Sequence, residues 1–168
     1  VRRWVVHVTT DQSEHASLSK RALLQESNKL CSFFGNDVLS FFLPQILAFL
    51  NERKDWELRL ALLEHLVVVC QNIGRAATEE YVWPCVEIGL VDANERVAHG
   101  ALFCLSKLVE LGLVSSRPVL MQTLKYGVLL LHPSPDIRDA AIDTFVIICD
   151  CMGAPDCDVY VIPQLRPF

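Results

Sequence analysis

Three thiols and three carboxylates gather near the C-terminal end of the chain, where Cys149, Cys151 and Cys157 stand among Asp150, Asp156 and Asp158. Thiolates and carboxylates together could ligate zinc, and a thiolate in the right setting is a nucleophile. The spacing argues against both. On a helix the two cysteines of Cys149-Asp150-Cys151 project about 200° apart, so one face cannot present both sulfurs. They read instead as structural thiols among apolar neighbours. His7, His15, His65, His99 and His132 are scattered, with no two at the i, i+4 spacing that lets one helical face hold a metal, and they read as solvated or hydrogen-bonded structural histidines. The sequence contains no GxSxG, HExxH, Walker A loop or CxxC pair. It therefore offers no catalytic residue, no cofactor site and no metal ligand set.

One cluster is better placed for binding than for catalysis. At about 100° per residue, Asp136, Asp139, Asp143 and Asp150 fall within about 60° of arc, opposite the apolar stripe Ile137, Ala141, Phe145, Ile148 and Met152. A solvated face is one reading of this ridge. A partner-binding face is the other, because Asp150 lies near the helix C-terminus, where the dipole disfavours negative charge and a basic partner would offset the cost. Arg59 and Arg138 each directly follow an apolar anchor, as positions from which a guanidinium can bond acidic or backbone groups of an adjoining unit. Trp56 follows a cap residue and Trp83 precedes a proline, and both are assigned to packing between units.

The elements that must position these residues recur with a period near 40. Gly35, Gly74, Gly112 and Gly153 each end an apolar helical pattern, at spacings of 39, 38 and 41 residues. Asp55, Asn94 and Ser134 each stand three residues before an anchor, Leu58, Val97 or Ile137, as N-caps or turn residues. The same offsets from each anchor are apolar: Leu62, Ala101 and Ala141; Leu63, Leu102 and Ile142; Leu66, Leu105 and Phe145; Cys70, Val109 and Cys149. One period earlier the pattern falls on Leu18, Ala22, Leu23 and Leu30, broken by Glu26. First helices lie between these second ones, at about Asp37 to Leu50, Thr78 to Val91, Val119 to Leu131, and from about Asp158. Pro44, Pro84 and Pro163 mark equivalent points of three of them, where the ring would kink the helix.

A capped helix pair about every 40 residues predicts an all-α fold, an α-solenoid of about four HEAT-type helix pairs wound as a right-handed superhelix of the ARM/HEAT class. The expected units are 1–35, 36–74, 75–112 and 113–153, with another starting at 154–168, all within one segment. Apolar residues at both ends, Trp4, Val5 and Val6, then Val161, Ile162 and Leu165, predict that further repeats flank it in a longer parent. With 168 residues, 52% of them hydrophobic and 21% charged, the chain has ample material for a core and is not disordered. A net charge of −5 excludes the broad cationic field that grips phosphate backbones, so no nucleic acid is expected as a partner. The longest stretch without a formal charge, Val38 to Asn51, has 14 residues, short of the roughly 20 that span a bilayer. Seven cysteines in an irregular pattern predict a reducing, cytoplasmic setting.

Several runs carry a more specific signal: LCSFFG (Leu30 to Gly35), NDVLSFFLPQILAFLNERKDWELR (Asn36 to Arg59), VELGL (Val109 to Leu113) and HPSPDIRDAA (His132 to Ala141). From about residue 16 to 168 they resemble the central HEAT repeats of the large regulatory subunit of the class III phosphatidylinositol 3-kinase, a vacuolar-sorting family with protein kinase-like, HEAT and WD40 regions. Gly35 joins Asn36 directly where a few more polar residues are expected in that family. The resemblance implies a non-catalytic scaffold. It would hold the lipid kinase catalytic subunit and a Beclin-like subunit, in the cytoplasm and peripherally on endosomal or autophagic membranes, in vesicle trafficking and autophagy. The kinase-like and WD40 parts would lie outside this segment, and no kinase motif is present to carry over. A generic HEAT scaffold for other trafficking or phosphatase-type partners is the alternative.

Overall fold

The structure, a computed structural model, describes residues 1–13 and 15–166. Among these, positive φ occurs only at Gly35 (52°), Gly74 (79°), Gly112 (67°) and Gly153 (83°). A residue with a Cβ is strained in that region, so glycine is what allows the chain to leave one helix and start the next in a new direction.

Helix α1 (Arg2–Thr10) is followed by α2 (Ala16–Gln25) and α3 (Ser27–Phe34), which meet at Glu26. A helical stretch from Val38 to Asn51, with α4 (Leu43–Leu47) in its middle, leads into α5 (Trp56–Ala77), whose path is broken at Gly74 by φ 79° and ψ 172°. The stretch from Thr78 continues as α6 (Trp83–Leu90) and is followed by α7 (Glu95–Glu110). Then α8 (Arg117–Thr123) tightens into a 3-10 turn as far as Leu131, and α9 (Pro135–Met152) follows. Last come α10 (Ala154–Asp156), a turn over Cys157–Val161, and α11 (Ile162–Leu165). No strand occurs among the described residues. Helix α5 packs against α2 and α3 on one side and α7 on the other, and α9 packs against α7. The helices from 38 to 51, 78 to 90 and 117 to 131 form the second layer. Stacked helix pairs that each touch only their neighbours are an all-α solenoid of HEAT type.

Each proline-marked helix solves the missing N–H in the same way. The turns Val38–Phe42, Thr78–Val82 and Cys157–Val161 are π-helical, and the residue just before each proline donates five residues back, Leu43 to Val38, Trp83 to Thr78 and Ile162 to Cys157. A widened turn gives the ring of Pro44, Pro84 or Pro163 room that an α-turn denies it. Two of the three anticipated caps are made by side chains: Asp55 Oδ1 accepts from Leu58 N at 2.9 Å and Asn94 Oδ1 from Arg96 N at 3.0 Å. Ser134 makes no such bond, and Pro135 starts that helix, having no N–H to satisfy.

The core is one continuous seam. Leu23 and Leu24, Leu58, Leu62, Leu63 and Leu66, Val97, Ala101, Leu102 and Leu105, then Ile137, Ala141, Phe145 and Ile148 are all buried in it. Two details of the sequence pattern are corrected. In the first repeat the stripe runs one residue later than the Leu18 register. Leu18 and Ala22 are exposed, while Lys20, Leu23, Leu24, Ser27, Leu30 and Cys31 face inward. The buried positions stand 39 residues before their counterparts in α5, and the break at Glu26 separates α2 from α3 without interrupting the stripe. In the last full pair Ile142 is half exposed, and Thr144 is buried instead. An 18-residue window within Trp56–Leu90 reaches a mean hydropathy of 1.2, enough by length and composition alone to span a bilayer. The stretch is not one straight helix, since it turns at Gly74, and Leu58, Leu62, Leu63 and Leu66 of α5, which packs between α2 and α7, are buried.

Candidate functional site

Side chains that bond over a long sequence distance do so one repeat apart. Arg59 is the best example. Its Nε and Nη2 donate to Asp92 Oδ2 and Oδ1 at 2.8 and 2.9 Å, and its Nη1 donates to the carbonyls of Glu52 and Arg53, each at 2.9 Å. The fork thus ties the turn before its own helix to the turn before α7. Burial works against the charge of Asp92. It is outweighed by the Arg59 guanidinium and the Asn94 N–H, and the carboxyl is held below its ordinary range. Lys20, which is buried and stands 39 residues before Arg59, donates to Glu52 Oε1 at 2.8 Å. Sequence reasoning missed it, because a lysine in an apolar stripe reads as a break, although the period alone points to it. Arg138 repeats half of the pattern: its Nη1 donates to His132 O at 2.7 Å and Pro133 O at 2.8 Å. The Trp56 ring lies under the Arg96 guanidinium of the next repeat at 5.3 Å.

The second layer is stitched likewise. The N–H groups of Ser115 and Ser116 donate to Glu79 Oε1 at 3.0 and 2.9 Å, Trp83 Nε1 donates to Gln122 at 3.0 Å, and Tyr126 OH donates to Glu87 at 3.3 Å. Burial opposes the Glu79 charge, but the two amides, the Ser116 hydroxyl and nearby Arg75 lower its pKa overall. Deep between α7 and α9, the hydroxyls of Ser106 and Thr144 meet at 2.9 Å.

The four aspartates of the ridge are all exposed on α9. Two open clefts, of about 470 and 410 Å³, lie along the seam between α7 and α9, the larger reaching Leu60 and Glu64 of α5, and share His99, Phe103 and Asp136. Asp136, Asp139 and Asp143 border them, and Asp150 does not. Glu64, Glu95 and Glu110 join the three aspartates there, against Arg96 and Lys107 as the cations. Lys107 is engaged with Glu110 at 2.7 Å, and Arg96 covers Trp56. The cleft surface is therefore acidic, with the half-exposed Phe103 ring in its middle. Such a surface suits a cationic segment carrying an apolar anchor.

The thiol cluster is of another kind. Cys157 Sγ donates to the Cys149 carbonyl at 3.3 Å, and burial, reinforced by the Cys157 contact, pushes the Cys149 thiol up to about 12. A thiol held protonated in this way is a poor nucleophile. Cys151 is exposed. Among the described residues, no three His, Cys, Asp or Glu side chains come together as a metal-binding group.

Stacked pairs bonded rung by rung to the next define a HEAT-type α-solenoid segment. Comparison with known proteins narrows the class. The family described as "PIK3R4-like, middle domain" matches residues 1–168, so the chain belongs to it. Relatives include a probable serine/threonine-protein kinase vps15 of Dictyostelium discoideum, 39% identical over 89% of this chain and 8% of its own length. The serine/threonine-protein kinase VPS15 of Arabidopsis thaliana is 37% identical over 89% of this chain and 10% of its own. A non-specific serine/threonine protein kinase of Candida glabrata is 30% identical over 89% of this chain and 11% of its own. The chain thus spans about a tenth of the length of these relatives.

Proposed function

We propose that this segment is a non-catalytic, protein-binding scaffold within the regulatory subunit that assembles the class III phosphatidylinositol 3-kinase. Its work is to hold the lipid kinase catalytic subunit and a Beclin-like subunit at fixed spacing on endosomal or autophagic membranes, with the kinase-like and WD40 regions of the parent on either side. The segment itself turns nothing over. The observation that carries this reading is the family match over residues 1–168, joined to a fold whose polar bonds fix neighbouring repeats to one another. The same reading assigns the ridge Asp136, Asp139, Asp143 and Asp150 to partner contact, chiefly through the three that border the α7–α9 clefts, and gives Arg59, Arg138 and Trp56 the structural role between repeats.

The test is affinity capture with the full-length parent, wild type against Asp139→Lys/Asp143→Lys, identifying retained proteins by mass spectrometry. Recovery of the lipid kinase subunits, weakened in the variant, supports the scaffold and the ridge together. Equal recovery removes the ridge and keeps the scaffold. Recovery of unrelated cargo in place of the kinase subunits selects the generic HEAT scaffold.

A further inference from the structure

The bonded positions repeat strictly enough to show where one bond is missing. Lys20, Arg59, Ala98 and Arg138 are equivalent, spaced 39, 39 and 40 residues apart at the second position of each stripe. Their acceptor positions are Glu52, Asp92 and His132, spaced 40 and 40. The equivalence is visible in the turns: Asp92 Oδ1 accepts from Asn94 N at 2.8 Å, and His132 Nδ1 accepts from Ser134 N at 3.1 Å, each two residues on. Between the first two pairs the rung is Lys20 to Glu52, and between the next two it is the fork of Arg59 on Asp92. Between α7 and α9 the two positions hold Ala98 and His132, which cannot form an ion pair. Ala98 is buried, and among the described residues no ion pair ties the start of α7 to the turn before α9.

The other layer of the same joint is the reverse case. Glu79 holds the Ser115 and Ser116 amides, Trp83 holds Gln122, and Glu87 takes both Tyr126 and Lys125. About three-quarters of the way along α7 and midway along α9 sits the buried Ser106–Thr144 contact. At this joint's unpinned turn end lies the cleft of about 470 Å³, whose lining takes in Leu60 and Glu64 of α5, Glu95 and His99 of α7, and Ser134 and Asp136 at the start of α9.

From this we infer that the α7–α9 joint is a hinge in the solenoid. The layer carrying α6 and α8 is its fixed side, Ser106–Thr144 is its inner pivot, and the turn ends of α7 and α9 open and close the acidic cleft. The α5–α7 joint, pinned at its turn end by Arg59, does not move in this way. A cleft that changes width can admit partners of different girth and alter the curvature of the parent at one defined place. The inference concerns motion at the proposed binding face, and its test reads no partner.

The experiment measures spin-label distance distributions in the full-length parent, with labels carried on genetically encoded unnatural side chains. One pair, at His99 and Asp139, spans the proposed hinge. The other, at Leu60 and His99, spans the pinned joint at equivalent positions. The expected result is a distribution about twice as wide across α7–α9 as across α5–α7, narrowed to the width of the pinned joint by Ala98→Arg/His132→Asp, which installs the missing rung, and not by Ala98→Arg alone. Equal widths in the unaltered protein would overturn the hinge whether or not the double variant folds. A folded double variant that stays wide would show that the missing rung is not what frees the joint, and would overturn the inference as well.

Discussion

Replacing Arg59 with alanine removes four hydrogen bonds at once. Arg59 is 7% exposed and the Asp92 side chain 10%, so little solvent can take over. The variant leaves the Asp92 carboxylate with the Asn94 N–H and the Glu52 carbonyl with the Asp55 N–H, and deprives the Arg53 carbonyl of its Arg59 donor. Removing one partner of a buried ion pair costs about 3–5 kcal/mol. The retained Asn94 bond and the slight exposure of Asp92 place the expected loss at the lower end, about 3 kcal/mol. At roughly 2–4 °C per kcal/mol for a chain of this size, that is a fall in Tm of about 6–12 °C. Urea titration is the assay, since an uncharged denaturant leaves the salt concentration free to be varied. Raising salt from about 0.1 to about 1 M should leave the difference between wild type and variant nearly unchanged, because a buried pair is little screened. Arg59→Met/Asp92→Leu should recover more than half of the loss, since the greater part of the cost is the stranded carboxylate rather than the missing attraction. A loss below about 1 kcal/mol, the range of a surface pair, with no recovery in the double variant, would refute the assignment of Arg59 as the bolt between repeats.

Stability should fall on acidification. Asp92 and Glu79 both have folded pKa values below their ordinary values of 3.8 and 4.5, so each stabilises the fold above its unfolded pKa and ceases to as pH falls through its folded one. The urea midpoint, level between about pH 5 and 7, should drop below about pH 4.5, and Glu79→Gln should flatten the slope. Two glycines in close packing should respond differently to alanine. A Cβ at Gly89 would lie 2.9 Å from the Ala101 Cβ, which cannot yield without moving α7, whereas one at Gly100 would meet only the end of the Leu60 side chain at 2.5 Å. Gly89→Ala should cost about 1–3 kcal/mol in urea titration, and Gly100→Ala should be nearly neutral, its strain offset by a helix-propensity gain of up to about 1 kcal/mol. Of the thiols, Cys151 should react with Ellman's reagent within the native state. Cys31, pushed up by burial to about 11, and Cys70, to about 12, should react only on unfolding.

How much of this was legible in the sequence depended on whether a signal was chemical or relational. Gly35, Gly74, Gly112 and Gly153 announce themselves because few other residues accept positive φ, and all four adopt it. Pro44, Pro84 and Pro163 announce a disturbance, and the π-turns in front of them are its form. Apolar periodicity alone puts the first repeat out of register by one residue, because its stripe contains Lys20 and Ser27, polar residues at inward positions. They are tolerated there because Glu52 receives the ammonium and the Leu24 carbonyl receives the hydroxyl. Thr144 was passed over in favour of Ile142 for the same reason: a hydroxyl reads as surface until Ser106 is seen opposite it. Apolar periodicity locates the faces, but it cannot tell a buried polar residue with a partner from an exposed one, since the partner lies about a repeat away.

The ladder turns that weakness into information. Within a solenoid each joint is made of the same few positions, so the residues at one joint predict what the next should hold, and a departure has structural meaning. Lys20 and Arg59 with their acids set the expectation, and Ala98 with His132 departs from it where the clefts carry Phe103 and the aspartates of α9. A joint under pressure only to be stable would gain from keeping the rung. Here the rung is absent in the layer bearing the acidic face, while Glu79, Trp83 and Glu87 stitch the opposite layer. Rigidity on one side and freedom on the other is what a surface requires if it is to fit a partner without losing its place in the array.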